Sequence, residues 1–104
     1  MTPTAIPALE YYGDNFAYVY PQPARDKVNI AFGVNVDSDV KIIIYNAAGM
    51  DVAVQGLYAY QGIVNKAQFD VGRFAPGTYF CVIRQENTSR ALVRKPVKFL
   101  VTGR

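Results

Sequence analysis

The chain contains no histidine, no tryptophan and a single cysteine, Cys81. Without histidine, the common serine and cysteine nucleophiles have no imidazole base and the usual zinc ligand sets cannot be assembled. One cysteine forms no internal disulfide, so the core has to hold by packing alone. Cys81 itself lies in the apolar run Tyr79-Phe80-Cys81-Val82-Ile83 and reads as a buried, inert thiol. No run of about 18 apolar residues is present, which excludes a membrane-spanning helix. Glycine-rich phosphate loops are missing too. These absences argue against an enzyme and predict no catalytic residues, no metal and no cofactor.

Charge is sparse as well. Eleven basic and eight acidic residues leave a net charge of +3, too mild to imply nucleic acid. The distribution is less even than the sum. From Arg84 onward stand six cations, Arg84, Arg90, Arg94, Lys95, Lys98 and Arg104, against one acid, Glu86. Positive charge of this kind protects the edge strand of a sheet, and it also offers a partner something to read. The opening Met1–Pro7 has neither the basic start nor the apolar middle of a signal peptide. The chain is therefore expected to be either cytoplasmic or a piece of a longer exported protein.

What is present is alternation. With 104 residues, 51% of them hydrophobic, the chain is expected to form one domain with one core. Residues 1–15, with Pro3, Pro7 and Gly13, read as a linker or loosely docked arm, and residues 16–104 as the folded domain. A short aromatic strand, Phe16–Tyr20, is stopped by Pro21-Gln22-Pro23. Lys27–Phe32 alternates with Val28, Ile30 and Phe32 inward. Val40–Tyr45 sets Val40, Ile42 and Ile44 toward the core, while Ile43 and Tyr45 suggest that something covers its outer face. Asn46-Ala47-Ala48-Gly49 is a hairpin loop leading to a return strand, Asp51–Gln55. Gly56 and Gly62 point to a wide loop with an edge strand from Tyr58 to Lys66. Ala67–Val71 is a further strand, Phe74-Ala75-Pro76-Gly77 has the order of a type II turn, and Thr78–Arg84 is the strongest strand signal. Past the polar tip Asn87-Thr88-Ser89, the last strand is interrupted at Pro96, which confines it to an edge. Seven short strands and no helical period predict an all-β, seven-stranded antiparallel immunoglobulin-like sandwich with Greek-key connections.

Few residues carry chemistry. Asp37 and Asp39 offer oxygens that calcium accepts, but aspartates in turns ordinarily hold backbone N–H groups, and that reading is preferred. Tyr11, Tyr12, Tyr18 and Tyr20 crowd the start of the chain, while Tyr58 and Tyr60 occupy a predicted loop. Exposed tyrosines stack on sugar rings, which makes Tyr58 and Tyr60 weak candidates for carbohydrate binding.

Three segments in order resemble a known family. Tyr20-Pro21-Gln22-Pro23-Ala24-Arg25-Asp26-Lys27-Val28 resembles the opening signature of the C-terminal sorting domains of the type IX secretion system. Val40–Gly49 is similar to that family's hairpin, and Phe69–Phe80, with Pro76-Gly77-Thr78-Tyr79, is similar to its glycine–tyrosine segment. The basic end from Arg94 to Arg104 fits as well. At Pro21, Pro23, Gly49, Gly77 and Tyr79 the shared residues are fold-keeping ones, with Tyr79 placed to tether its corner through its hydroxyl. The resemblance implies a non-catalytic sorting and anchoring module. It would direct an upstream cargo domain of the same chain across the outer membrane, to the cell surface or the medium, after transit through the periplasm. Its partners would be the translocon and sortase-like proteins at the outer membrane. Recognition is expected at Gly77, Tyr79, Arg94, Lys95, Lys98 and Arg104, where an exposed last edge would invite strand addition. A related immunoglobulin-like module of hook-capping and other surface proteins shares the core pattern, which leaves a structural or assembly role as the alternative.

Overall fold

A computed structural model describes residues 16–86, 92–93 and 96–102. Eight strand segments follow in order: β1 Ala17–Tyr20, β2 Lys27–Phe32, β3 Ser38–Asn46, β4 Asp51–Ala59, β5 Asn65–Asp70, β6 Gly77–Gln85, β7 Leu92–Val93 and β8 Val97–Val101. All pairings among these eight segments are antiparallel. One sheet runs β1-β2-β5; the other runs β4-β3-β6, with β7 and β8 both on the far side of β6. Leu92 faces Gln85, and Val97 faces Cys81. The two segments are thus one edge strand interrupted around Pro96, and the sandwich has seven strands, three against four.

Alternation builds the core. Val28, Ile30 and Phe32 from one sheet meet Ile42, Ile44, Ile83 and Phe99 from the other, all 0–2% exposed. Each such side chain contributes roughly 1.5–3 kcal/mol relative to remaining in water. Cys81 is buried among them, and desolvation pushes its thiol up to about 12.

Several local expectations are corrected. β4 runs unbroken through Gly56, because that glycine pairs in register with Lys41 and has ordinary extended geometry; the turn after it is shorter than expected. The hydrogen-bonded turn before β6 closes from Phe74 N–H to the Val71 carbonyl at 3.0 Å. Gly77 is the first residue of β6, with φ +154°, and so is not part of a type II turn. The hairpin at Asn46 forms as expected. Gly49 has φ +86°, and the Asn46 carboxamide accepts the N–H groups of Ala48 and Met50 at 2.9 and 3.0 Å. No third layer covers Ile43 among the described residues; its partners Val54 and Val82 shield it from either side. The tip Asn87–Ser89 and the arm 1–15 lie outside the described residues.

Candidate recognition site

The motif-bearing turns converge on one end of the sandwich. Asn46 at the end of β3 pairs with Tyr79 near the start of β6, and Gly77 pairs with Val101 at the end of β8. Asp70, the last residue of β5, pairs with Lys27, the first of β2, and the Asp26 carbonyl accepts the Val71 N–H at 2.8 Å. The proline turn, the Asn46 hairpin, the loop before β6 and the end of β8 therefore share one surface.

Tyr79 organises this end from beneath. Its ring stacks with Phe99 and leans on Phe74, at centroid distances of 6.0 and 5.1 Å. Its hydroxyl donates to the Ala75 carbonyl at 2.6 Å, pinning the loop before β6 to the strand that follows. At 6% exposure the Tyr79 side chain offers almost nothing to a partner. What it supports is a cleft of about 250 Å³ between Asn46-Ala47-Ala48 and Ala75-Pro76-Gly77-Thr78. Gly77 is exposed on its wall.

The proline segment does more than redirect the chain. Both Tyr20–Pro21 and Gln22–Pro23 are cis, and between and after them the chain lies along the edge of β8. Ala24 N–H donates to the Leu100 carbonyl, and Thr102 N–H donates to the Ala24 carbonyl, each at 2.8 Å. The Gln22 amide donates to the Lys98 carbonyl and accepts from Leu100 N–H, both at 3.4 Å. Residues 22–24 thus act as a short extra strand. This overturns the exposed last edge expected from sequence: the β8 backbone from Lys98 to Thr102 is already engaged, and strand addition there would have to displace the proline turn. Nothing in the sequence marks Gln22 or Ala24 except their position around Pro23.

Among the candidate cations, Lys98 is exposed on the outer face of its sheet, opposite Phe80. Arg94, Lys95 and Arg104 lie outside the described residues. Arg84 pairs with Glu86 at 2.8 Å near the opposite end. Pro21, Pro23, Gly49, Gly77 and Tyr79 all fall at the motif end, whereas Tyr58 and Tyr60 lie at the other one. Their rings meet edge to face, 5.2 Å apart at 71°, which is not a flat platform for a sugar ring. Asp37 accepts Gln61 N–H at 2.8 Å, and no metal-holding cluster occurs among the described residues.

A polar network that no sequence motif marks holds that second end together. Asn65 accepts Tyr60 N–H at 2.9 Å and donates to the Tyr60 and Phe32 carbonyls; Gln85 donates to the buried Ser38 hydroxyl at 3.2 Å. Asn65 satisfies backbone groups where the loops cross and Gln85 partners a buried hydroxyl, both structural duties.

Comparison with known proteins bears on the whole arrangement. The family described as secretion system C-terminal sorting domain matches residues 18–98. Among solved structures, that of dimeric latent PorU from Porphyromonas gingivalis shares the fold at a TM-score of 0.75 and 16% identity. The alignment covers 85% of this chain and 9% of that one, so the chain spans only a small part of that protein. No curated protein matches the chain significantly.

Proposed function

The chain belongs to the secretion system C-terminal sorting domain family, and from that premise we propose that it carries an upstream cargo through type IX secretion as a non-catalytic, folded address. Domains of this family mark secreted or cell-surface proteins, and their partner is the secretion machinery. The finer reading is that the translocon and a sortase-like component recognise the motif end after the cargo has reached the periplasm. One observation carries it. The three segments that resemble the family, far apart in sequence, meet at one end, where the second and third line a cleft and the first seals the adjoining β8 edge.

The geometry narrows what recognition uses. The β8 edge is sealed by Gln22 and Ala24, so a partner meets side chains and the cleft rather than a free backbone edge. Lys98 supplies charge on the adjoining face, with Arg94, Lys95 and Arg104 as further candidates. Such cations steer the encounter and set its salt dependence more than they add affinity. The cleft walls are small residues, so a bulky side chain placed at Ala48 fills the space without touching the core.

The test is a fusion of residues 16–104 behind an exported fluorescent protein in a bacterium with this secretion system. The expected result is fluorescence at the surface or in the medium, with Ala48→Arg returning it to the periplasm and Lys98→Glu lowering export. Periplasmic retention equal to that of the unfused reporter contradicts the sorting role. Undiminished export of folded Ala48→Arg contradicts the cleft.

A further inference from the structure

The two flanks of the sandwich are unequal, and the unsealed one is self-complementary. On that flank lie the edges of β4 and β5, joined by one described side-chain link, from the Gln55 amide to the Gln68 carbonyl at 3.0 Å. β4 has nine residues, and from Val52 to Ala59 it contains no charge and no proline. Native edges are ordinarily shortened or guarded by lysine, proline or a bulge. Here β1 has four residues and runs into Pro21, the β7–β8 edge is broken at Pro96 and carries Lys98, and β5 carries Lys66 and Asp70. Only the far end of β4, at Val52, has a bulge.

We propose that β4 pairs antiparallel with β4 of a second copy about a two-fold axis through Gln55. That register sets Val54 opposite Gly56 of the other copy and Val52 opposite Tyr58, all on the outer face. On the inner face it sets Ala53 opposite Leu57. Large side chains thus meet small ones or form the β-branched–aromatic pairs that stabilise antiparallel strands. Val52, Val54 and Tyr58 are 42%, 52% and 49% exposed and lose that exposure together. Above Gly56 a Cβ would meet only the Val40 carbonyl oxygen, at 3.9 Å, so Val54 of the second copy has room.

Charge supports the same axis from the other sheet. Because Gln55 reaches Gln68, an axis through one passes beside the other. Rotated about an axis beside Gln68, Lys66 of one copy comes opposite Asp70 of the other, and Asp70 opposite Lys66. Both side chains are exposed, and neither forms an ion pair among the described residues. A two-fold contact requires a patch to be its own complement, and opposite charges at equal distances from the axis meet that requirement. Gln55 already caps the Gln68 carbonyl, so β5 contributes side chains rather than a second ladder. Two strand edges form a small interface, and the dimer is therefore weak and driven by concentration.

Sedimentation equilibrium of the 104-residue chain tests this. The mass should rise from 11.5 kDa toward twice that value as the concentration approaches about 1 mM. Val54→Lys should weaken association about tenfold or more while leaving the thermal midpoint of the dilute chain unchanged. Lys66→Glu alone and Asp70→Lys alone should each weaken it about threefold to tenfold, and the two together should restore it. A chain that stays at 11.5 kDa throughout overturns the proposal, as does a dimer indifferent to both single charge reversals.

Discussion

One flank of this sandwich is stitched and the other is open, and the difference is made by a proline turn. Where β1 meets β8, the segment Gln22–Ala24 supplies backbone and side-chain partners to Lys98, Leu100 and Thr102, and Ala24 is completely buried. Where β4 meets β5, the Gln55 amide spans the gap, and the outward side chains of β4 stand half in water. The stitched flank leads into the family's motif end; on the open one, only Phe69 and Asp70 at the close of β5 belong to a family-like segment. Sealing an edge with one's own turn keeps a domain in transit from pairing at random. On the proposed reading it also shifts the burden of recognition from backbone to shape and charge.

The largest way to break this comparison is to hollow out the stitched flank. Phe99→Ala removes a ring that is 1% exposed and should cost about 3–5 kcal/mol in urea unfolding. Leu57→Ala, only partly buried on the open flank, should cost clearly less; equal losses would erase the distinction. Next comes pH. Cys81 lies opposite Val97 on the stitched side, and its thiol is raised from 9.0 to about 12 by burial. Its contribution is fully present below pH 9 and is lost between pH 9 and about 12, because the unfolded chain releases that proton first. Stability should fall by up to about 1.4 kcal/mol per pH unit there, measured as wild type minus Cys81→Ala. Tyr79→Phe deletes the bond to Ala75 and keeps the ring, for a loss of about 1 kcal/mol. Val54→Lys, exposed on the open flank, should change the stability of the dilute chain by less than about 0.5 kcal/mol.

The sandwich was legible because its strands are half-buried: Val28, Ile30 and Phe32, or Val40, Ile42 and Ile44, announce an inner face by period alone. Turn chemistry was legible where a side chain enforces it, as at Asn46 and Gly49. It misled where glycine has two uses. Gly56 reads as a break yet continues a strand, and Gly77 reads as a turn residue yet opens one. The motif end was legible as residues but not as a place, since nothing local shows that Asn46, Gly77 and Ala24 come to the same end of the sandwich. Gln22 was hidden for a further reason: an amide that mimics a strand looks like any polar loop residue. The Asn65 and Gln85 networks are not legible because a polar residue in a strand gives no sign of which carbonyl or hydroxyl it will meet.

Residue-resolved amide hydrogen exchange, followed by NMR across a dilution series, tests the central asymmetry most directly. The account predicts that the Ala24 and Thr102 amides, bonded at 2.8 Å, stay protected at every concentration, while the outward amides of β4 exchange freely in dilute solution and slow as concentration rises. Ala24 and Thr102 exchanging at the rate of an unstructured loop, with β4 protected along both edges in dilute solution, would contradict it.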